Sequence, residues 1–229
     1  MTGVQTCALP ISYRLGLEAV DGQVRAWVKN PVLWSRKVDA PDVPWTSLAT
    51  IGNTLALTLY DQAYSLTQEG EVTPLAKLEA GVSEIRTWQG RRSGTTQVGV
   101  CLPTIGQLHL GSVPTGQEAD WPTLLTNSLG PSTGHPADLL AYPLSFDVGP
   151  DGRIYVLDAG NARIVVFDSS RRYVTQWGSW GDGEGQFNFG RGARSPSGEL
   201  DFAGSIAVDY QGYIYVADEI NNRIQKFAP

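Results

Sequence analysis

The chain has 229 residues and an ordinary balance of residue types, with 41% hydrophobic and 17% charged side chains. That composition excludes intrinsic disorder as the main state of the chain. No run of about 18 consecutive apolar residues occurs, so the sequence encodes no transmembrane helix. The formal net charge of −6 argues against a protein that binds nucleic acid or anionic membranes through charge alone.

The first residues of the chain do not have the character of a folded segment. Residues 1–11, MTGVQTCALPI, resemble the translation of a widely used short-read sequencing adapter, so we interpret residues 1–12 as a non-native tail. The native N-terminus is then missing, and localisation stays open, with an extracytoplasmic location as the favoured hypothesis. Cys7 belongs to this tail, which leaves Cys101 as a lone thiol that we expect to be buried.

Residues 13–142 carry short strand signals separated by turn residues. Asp21 and Gly22 lie between two strand-like runs, which is typical of a β-hairpin. Residues 54–59, TLALTL, alternate between leucine and the smaller Thr and Ala, the pattern expected of a half-buried strand. The predicted strands are Tyr13–Ala19, Val24–Lys29, Leu48–Ile51, Thr54–Tyr60, Ala63–Thr67, Ser83–Trp88, Gln97–Leu102 and Leu108–Val113, with a last strand within Trp121–Gly130.

The C-terminal part contains an internal repeat. Residues 151–167, DGRIYVLDAGNARIVVF, align without a gap with residues 211–227, QGYIYVADEINNRIQKF. Apolar runs bounded by Gly, Asp and Asn predict a meander of short strands joined by turns. The predicted strands of the first unit are Ser145–Val148, Ile154–Leu157, Arg163–Phe167 and Tyr173–Trp177. Four short strands in a repeat of tens of residues are typical of a propeller blade.

The pattern shared by the two units, G-x-I-Y-V-x-D-x-x-N-x-R-I-x-x-F, resembles the NHL repeat of β-propellers. The resemblance covers residues 143–229, whereas residues 13–142 are divergent and resemble, at 21–39, the repeat of quinoprotein-like propellers. It implies an all-β fold of four-stranded antiparallel blades, with six blades in an intact parent. We expect about five blades in this chain and therefore an incomplete ring.

The predicted domain is one β-propeller over residues 13–229. Its sections are divergent blades (13–142), an NHL-like blade (143–187), an inserted loop rich in Gly, Ser and Pro (188–201) and a partial NHL-like blade (202–229). No segment shows the 3.6-residue period of a helix of ordinary length.

Six polar residues recur at the same positions of the two units. A ligand-binding role would place them together on one face of the propeller. The alternative is structural, because an Asp that accepts turn N–H groups and pairs with an Arg fixes a hairpin. We predict this structural role for Asp158, Asn161, Arg163, Asp218, Asn221 and Arg223.

The sequence shows no recognisable catalytic or metal-binding pattern. His109 and His135 lack the spacing of paired metal ligands, and the loop with Asp182 and Glu184 lacks the ligand order of an EF-hand. We therefore predict no catalytic residue, no metal site and no cofactor. Among the tryptophans, Trp180 in the Gly-rich connector is the candidate for a ligand-facing side chain.

The leading functional hypothesis is a non-catalytic propeller scaffold that binds a protein, peptide or glycan. It depends on a clear repeat beside the absence of a catalytic pattern, and fold alone does not fix function. The alternative is a propeller enzyme of the lyase or lactonase kind, whose catalytic or metal-binding residues lie in blades outside this chain. Nucleic acid is not an expected partner, because the chain is acidic.

Overall fold

The computed structural model describes residues 14–20, 23–29, 45–51, 54–59, 61–66, 72–78, 80–89, 94–114, 128–129, 139–192 and 201–229. The chain divides into two units, Met1–Asp39 and Ala40–Pro229. In the first unit, β1 (Arg14–Val20) pairs antiparallel with β2 (Gln23–Lys29), as the hairpin signal predicts. Residues 1–12 lie outside the described residues, and the prediction of one domain over 13–229 stays a prediction.

The first two sheets of the second unit are four-stranded antiparallel meanders. We call them blade A and blade B, and each has its strands in chain order. Blade A consists of β3 (Trp45–Ile51), β4 (Thr54–Leu59), β5 (Gln62–Leu66) and β6 (Val72–Lys77). Blade B consists of β7 (Glu84–Gln89), β8 (Thr95–Leu102), β9 (Gln107–Pro114) and β10 (Ser128–Leu129).

The other two sheets are the three-dimensional form of the sequence repeat. Blade C consists of β11 (Pro143–Val148), β12 (Ile154–Asp158), β13 (Arg163–Phe167) and β14 (Tyr173–Trp177). Blade D consists of β15 (Ser205–Val208), β16 (Ile214–Asp218) and β17 (Arg223–Phe227). The registers match, because Asp158 lies opposite Arg163 and Asp218 lies opposite Arg223.

The four blades follow one another through their first strands, with β3 beside β7, β7 beside β11, and β11 beside β15. Among the described residues of Ala40–Pro229 they form an open arc, and the ring is not closed. The predicted all-β architecture of four-stranded antiparallel blades is confirmed. The described part of the chain has no α-helix, only 3₁₀ turns at Pro103–Ile105 and Ala159–Asn161.

One strand, β6, escaped the sequence analysis. It contains Pro74, and most of its side chains are exposed, so it shows neither an apolar run nor a regular alternation. Proline cannot donate to a β-ladder and is tolerated mainly on edge strands. Strand β6 is the outermost strand of blade A, and its register with β5 shifts between Ala63 and Tyr64. The edge position therefore explains why this sequence can form a strand.

Apolar side chains fill the spaces between successive blades. Between blades B and C, Phe146 is fully buried and its ring meets the ring of Trp88 edge-on at 6.0 Å. A Cβ atom on Gly99 would lie 2.2 Å from Cζ of Phe146, so this glycine makes room for the aromatic ring. The space between blades C and D is filled by Tyr155, Leu157, Ile164, Val166, Phe187, Phe189, Ile206, Ile214 and Val216.

The corresponding face of blade D is open. Ile164 in blade C is 0% exposed, whereas Ile224, its equivalent in blade D, is 73% exposed. Blade D covers the face of blade C that carries Ile164, and no described residue covers the same face of blade D to this degree. Sequence position within the repeat therefore does not determine burial.

A row of side-chain to backbone hydrogen bonds also joins the first strands of successive blades. Each first strand pairs with only one neighbour in its own sheet, so its other edge has unpaired backbone N–H groups. In each bond the acceptor side chain lies on the earlier blade and the N–H group on the next. The pairs are Ser47 Oγ with Ile85 (2.8 Å), Glu84 Oε2 with Phe146 (2.8 Å), Ser145 Oγ with Ile206 (3.2 Å) and Asp147 Oδ2 with Val208 (2.8 Å).

Candidate functional site

In blade C, the repeated polar residues converge on one buried carboxylate. Asp158 ends β12 and is fully buried, and its Oδ2 accepts hydrogen bonds from Asn161 Nδ2 (2.7 Å) and Arg163 Nε (2.9 Å). Its Oδ1 accepts bonds from the backbone N–H groups of Ala141 (2.8 Å) and Tyr142 (3.1 Å). The carboxylate therefore joins the turn after β12 to the connector that leads into the blade.

Blade D repeats this arrangement. Asp218 is fully buried, and its Oδ2 accepts hydrogen bonds from Asn221 Nδ2 (2.9 Å) and Arg223 Nε (2.8 Å). Its Oδ1 accepts a bond from the backbone N–H of Asn188 (2.8 Å). Arg223 Nη2 also donates to the backbone carbonyl of Gln186 (2.8 Å). The connector that leads into blade D therefore bonds to both Asp218 and Arg223.

The structure thus brings together each of the two predicted triads. Their carboxylates already accept several bonds from protein donors, which leaves little capacity for a ligand. These contacts favour the structural role over a binding role. That role stays a prediction until Asp158 is replaced.

Trp180 follows the last strand of blade C and lies at the same end of that blade as the turn at Ala159–Asn161. Its side chain is 53% exposed, which is unusual for the largest apolar side chain. The guanidinium of Arg191 lies 4.9 Å from the centre of the indole ring, within the range of a cation–π contact. Both side chains line a cleft with a volume of about 430 Å³. We call it the Trp180 cleft.

The walls of the Trp180 cleft are mainly backbone and small side chains. Gly160 and Gly190 line it, together with the aromatic side chain of Phe202. Gly190 has φ +106°, a conformation that L side chains rarely adopt, and a Cβ atom there would lie 2.3 Å from the carbonyl oxygen of Asp201. The glycines therefore leave space for a ligand beside the indole of Trp180, the guanidinium of Arg191 and the side chain of Asn161, which also lines the cleft.

A second polar cluster was not found by the sequence analysis. Arg86 on β7 forms ion pairs with Glu84 (2.7 Å) and with Asp147 on β11 (3.0 Å). Burial alone would lower the pKa of Arg86, but its hydrogen bonds to the two carboxylates and their charges raise that pKa on balance. Glu84 and Asp147 also accept backbone N–H groups of the next blade, so the cluster serves blade docking.

Cys101 lies in blade B and is fully buried, as predicted from its apolar sequence neighbours. Burial raises the pKa of its thiol well above the usual value, and the nearby charge of Glu84 raises it further. The thiol therefore stays protonated and unreactive in the folded protein.

A reactivity measurement tests this state. In a Cys7→Ser variant, Cys101 is expected to react with a thiol reagent at pH 8 only as fast as the protein unfolds. Because the folded pKa lies above the unfolded value of about 8.5, this group's contribution to stability is complete below about pH 8.5 and falls as pH rises toward the folded pKa. Fast labelling of native protein, with a rate independent of denaturant, would contradict the burial of the thiol.

The described residues contain no group of three or more His, Cys, Asp or Glu side chains placed to hold a metal ion. His109 is buried and its Nε2 lies 2.6 Å from Gln107 Oε1, while His135 lies outside the described residues. The described part of the chain has no helical segment with the length and hydrophobicity of a membrane span.

Solved structures resemble this fold. A structural-genomics protein of unknown function from Bacteroides thetaiotaomicron has a TM-score of 0.55 and 15% identity, covering 95% of this chain and 56% of that one. A streptogramin B lyase has a TM-score of 0.50 and 10% identity, covering 84% of this chain and 57% of the lyase. The chain thus spans less than two thirds of the length of either structure. At such identities the likeness concerns the fold, which is that of a β-propeller.

The repeat type is shown by sequence. A family model described as the NHL repeat matches residues 140–167, which are the end of the connector and the first three strands of blade C. The chain therefore carries an NHL repeat within its β-propeller fold. The comparison with curated proteins gives no match.

Proposed function

We propose that this chain is a non-catalytic binding module whose Trp180 cleft contacts a protein, peptide or glycan partner. The observation that carries the proposal is the exposed indole of Trp180, held beneath the guanidinium of Arg191 at the edge of the cleft. Tryptophan and arginine are enriched among the residues that dominate binding energy at interfaces. An indole face also stacks on sugar rings and on extended peptides.

The support for a binding module comes from the contrast between the repeated triads and the Trp180–Arg191 pair. The repeated triads already bond to their own connectors, whereas Trp180 and Arg191 make their ring contact at an open surface. A partner that covers the cleft would bury the indole of Trp180 and leave the guanidinium of Arg191 in contact with the ring.

A Trp180→Ala variant is expected to lose at least about 30-fold in affinity, because truncating a dominant interface tryptophan costs about 2 kcal/mol or more. The wild-type protein would first be screened on a peptide library and a glycan array. The affinity of each retained ligand would then be compared between the two proteins by titration calorimetry.

Trp177→Phe provides the matched control. Trp177 packs against Phe227 with ring centres 5.5 Å apart, and it does not line the cleft. This variant is expected to keep the wild-type affinity. Unchanged binding by Trp180→Ala would refute the assignment of the cleft. Metal-dependent turnover of a lactone by the chain would instead favour the enzymatic alternative.

A further inference from the structure

A second concave surface lies at the other end of blade C, between blades B and C. Consecutive turns of an antiparallel meander alternate between the two ends of the sheet, so the turns before β12 and after β13 lie opposite the Trp180 cleft. A groove of about 750 Å³ opens there. We call it the Arg171 groove, and its polar side chains are Gln89, Thr95, Gln97, Ser112, Ser169 and Arg171.

Arg171 is the charged side chain of this groove. Its Nη2 donates one hydrogen bond across the groove to the backbone carbonyl of Leu110 on β9 (3.2 Å). In the described part of the chain no carboxylate lies within ion-pair distance of this guanidinium. Desolvation lowers the pKa of Arg171, and no neighbouring negative charge offsets that effect. A guanidinium has five N–H donors, so most of its hydrogen-bonding capacity is unused.

Two carboxylates on the turns at this end of blade C are already paired with other arginines. Asp168 bonds to Arg172 (2.8 Å), and Asp151 bonds to Arg153 (3.3 Å). Each carboxylate therefore has a cation of its own, and Arg171 remains half-buried without one. A half-buried guanidinium with one hydrogen bond and no ion-pair partner among the described residues has donors free for an anionic group.

The backbone of Arg171 supports the same conclusion. Its φ is +66°, in the left-handed region where glycine or asparagine is preferred at the end of such a turn. The turn closes with a hydrogen bond from the N–H of Arg171 to the carbonyl of Asp168 (2.8 Å). An arginine at a position that favours glycine has an energetic cost, and such costs concentrate at functional positions.

The other walls of the groove define the chemistry of the ligand. The indole of Trp88 and the side chains of Val148 and Ile154 provide apolar surface, while Gln89 and Ser112 provide hydrogen-bonding groups. Amide and hydroxyl groups suit a ligand rich in hydroxyls, and an indole suits the C–H face of a ring. A planar guanidinium matches a carboxylate with two parallel hydrogen bonds.

We propose that the Arg171 groove binds a uronic-acid sugar residue, with the carboxylate on Arg171 and the sugar ring against Trp88. The site is independent of the Trp180 cleft, because none of its residues lines that cleft. It gives the module a second, chemically defined ligand on the opposite face.

Calorimetric titration with trigalacturonate tests the proposal, and its methyl ester is the matched neutral probe. The wild-type protein is expected to bind the free acid about 10- to 100-fold more tightly than the ester, the range of a hydrogen bond to a charged group. Arg171→Gly is expected to lose this difference. Glycine suits the left-handed φ, so this variant keeps the fold, and a melting curve verifies it.

Arg172→Gln is the control. Arg172 is next to Arg171 in sequence, but its guanidinium is exposed and already paired with Asp168. This variant is expected to bind trigalacturonate within about twofold of wild type. Absence of trigalacturonate binding, equal binding of acid and ester, or full affinity in Arg171→Gly would overturn the site. A tripeptide with a free C-terminal carboxylate that binds more tightly than the sugar would overturn the saccharide class.

Discussion

Replacing Asp158 by alanine is expected to lower the free energy of unfolding by about 3–5 kcal/mol, the cost of removing one partner from a buried ion pair. The change leaves the guanidinium of Arg163 and the N–H groups of Ala141 and Tyr142 without their acceptor. Because Asp158 is fully buried, its loss leaves these donors without the acceptor that they have in the folded protein. Chemical denaturation followed by tryptophan fluorescence measures the loss.

Arg153→Ala is the matched control. It removes an ion pair in the same blade, but both of its side chains are about half exposed, so the expected change is below about 1 kcal/mol. If Asp158→Ala melts like wild type and instead loses a binding activity, the repeated triads belong to a ligand site. The structural prediction for all six residues would then be wrong.

Gly99→Ala is expected to destabilise the protein by about 1–3 kcal/mol, because a methyl group at this position overlaps the ring of Phe146. Phe146 is fully buried between blades B and C, so its ring cannot move outward without separating them. The test is a double-mutant cycle with Phe146→Leu, a smaller side chain that leaves space for the added methyl group.

The double variant is expected to be more stable than the sum of the two single changes predicts, with a coupling of at least about 0.5 kcal/mol. The free energies of unfolding of the four proteins, measured by chemical denaturation, give this coupling. Strict additivity would mean that Gly99 and Phe146 do not share the contact, and that glycine is present at residue 99 for another reason.

The strands were predictable from sequence where an apolar run or an alternation coincided with turn residues on both sides. The strands of blade C begin and end within a residue or two of the predicted limits. Strand β6 was missed because an edge strand needs neither an apolar face nor a full set of N–H donors, and Pro74 argues against a strand by local rules. Local sequence contains little information on such an edge.

The candidate sites were likewise predictable where their residues are close in sequence and not where they come from different blades. Asp158, Asn161 and Arg163 lie within one turn, so their convergence could be predicted from spacing. The cluster around Arg86 and the Arg171 groove join residues from different blades, and no spacing rule brings Glu84 near Asp147. Likewise, Ile164 and Ile224 have the same place in the repeat but opposite exposure, because among the described residues a following blade packs on Ile164 and none packs on Ile224.

The hydrogen bonds that join backbone N–H groups to side chains between first strands run the same way along the chain, with the acceptor on the earlier blade and the N–H group on the later one. Ser47, Glu84, Ser145 and Asp147 each provide an acceptor to a backbone N–H group that lies later in the chain. During synthesis from the N-terminus, each blade therefore presents its acceptors before the strand that needs them has emerged from the ribosome. An already formed blade can act as a template that sets the register of the next one, and translation alone supplies the blades in the order this requires.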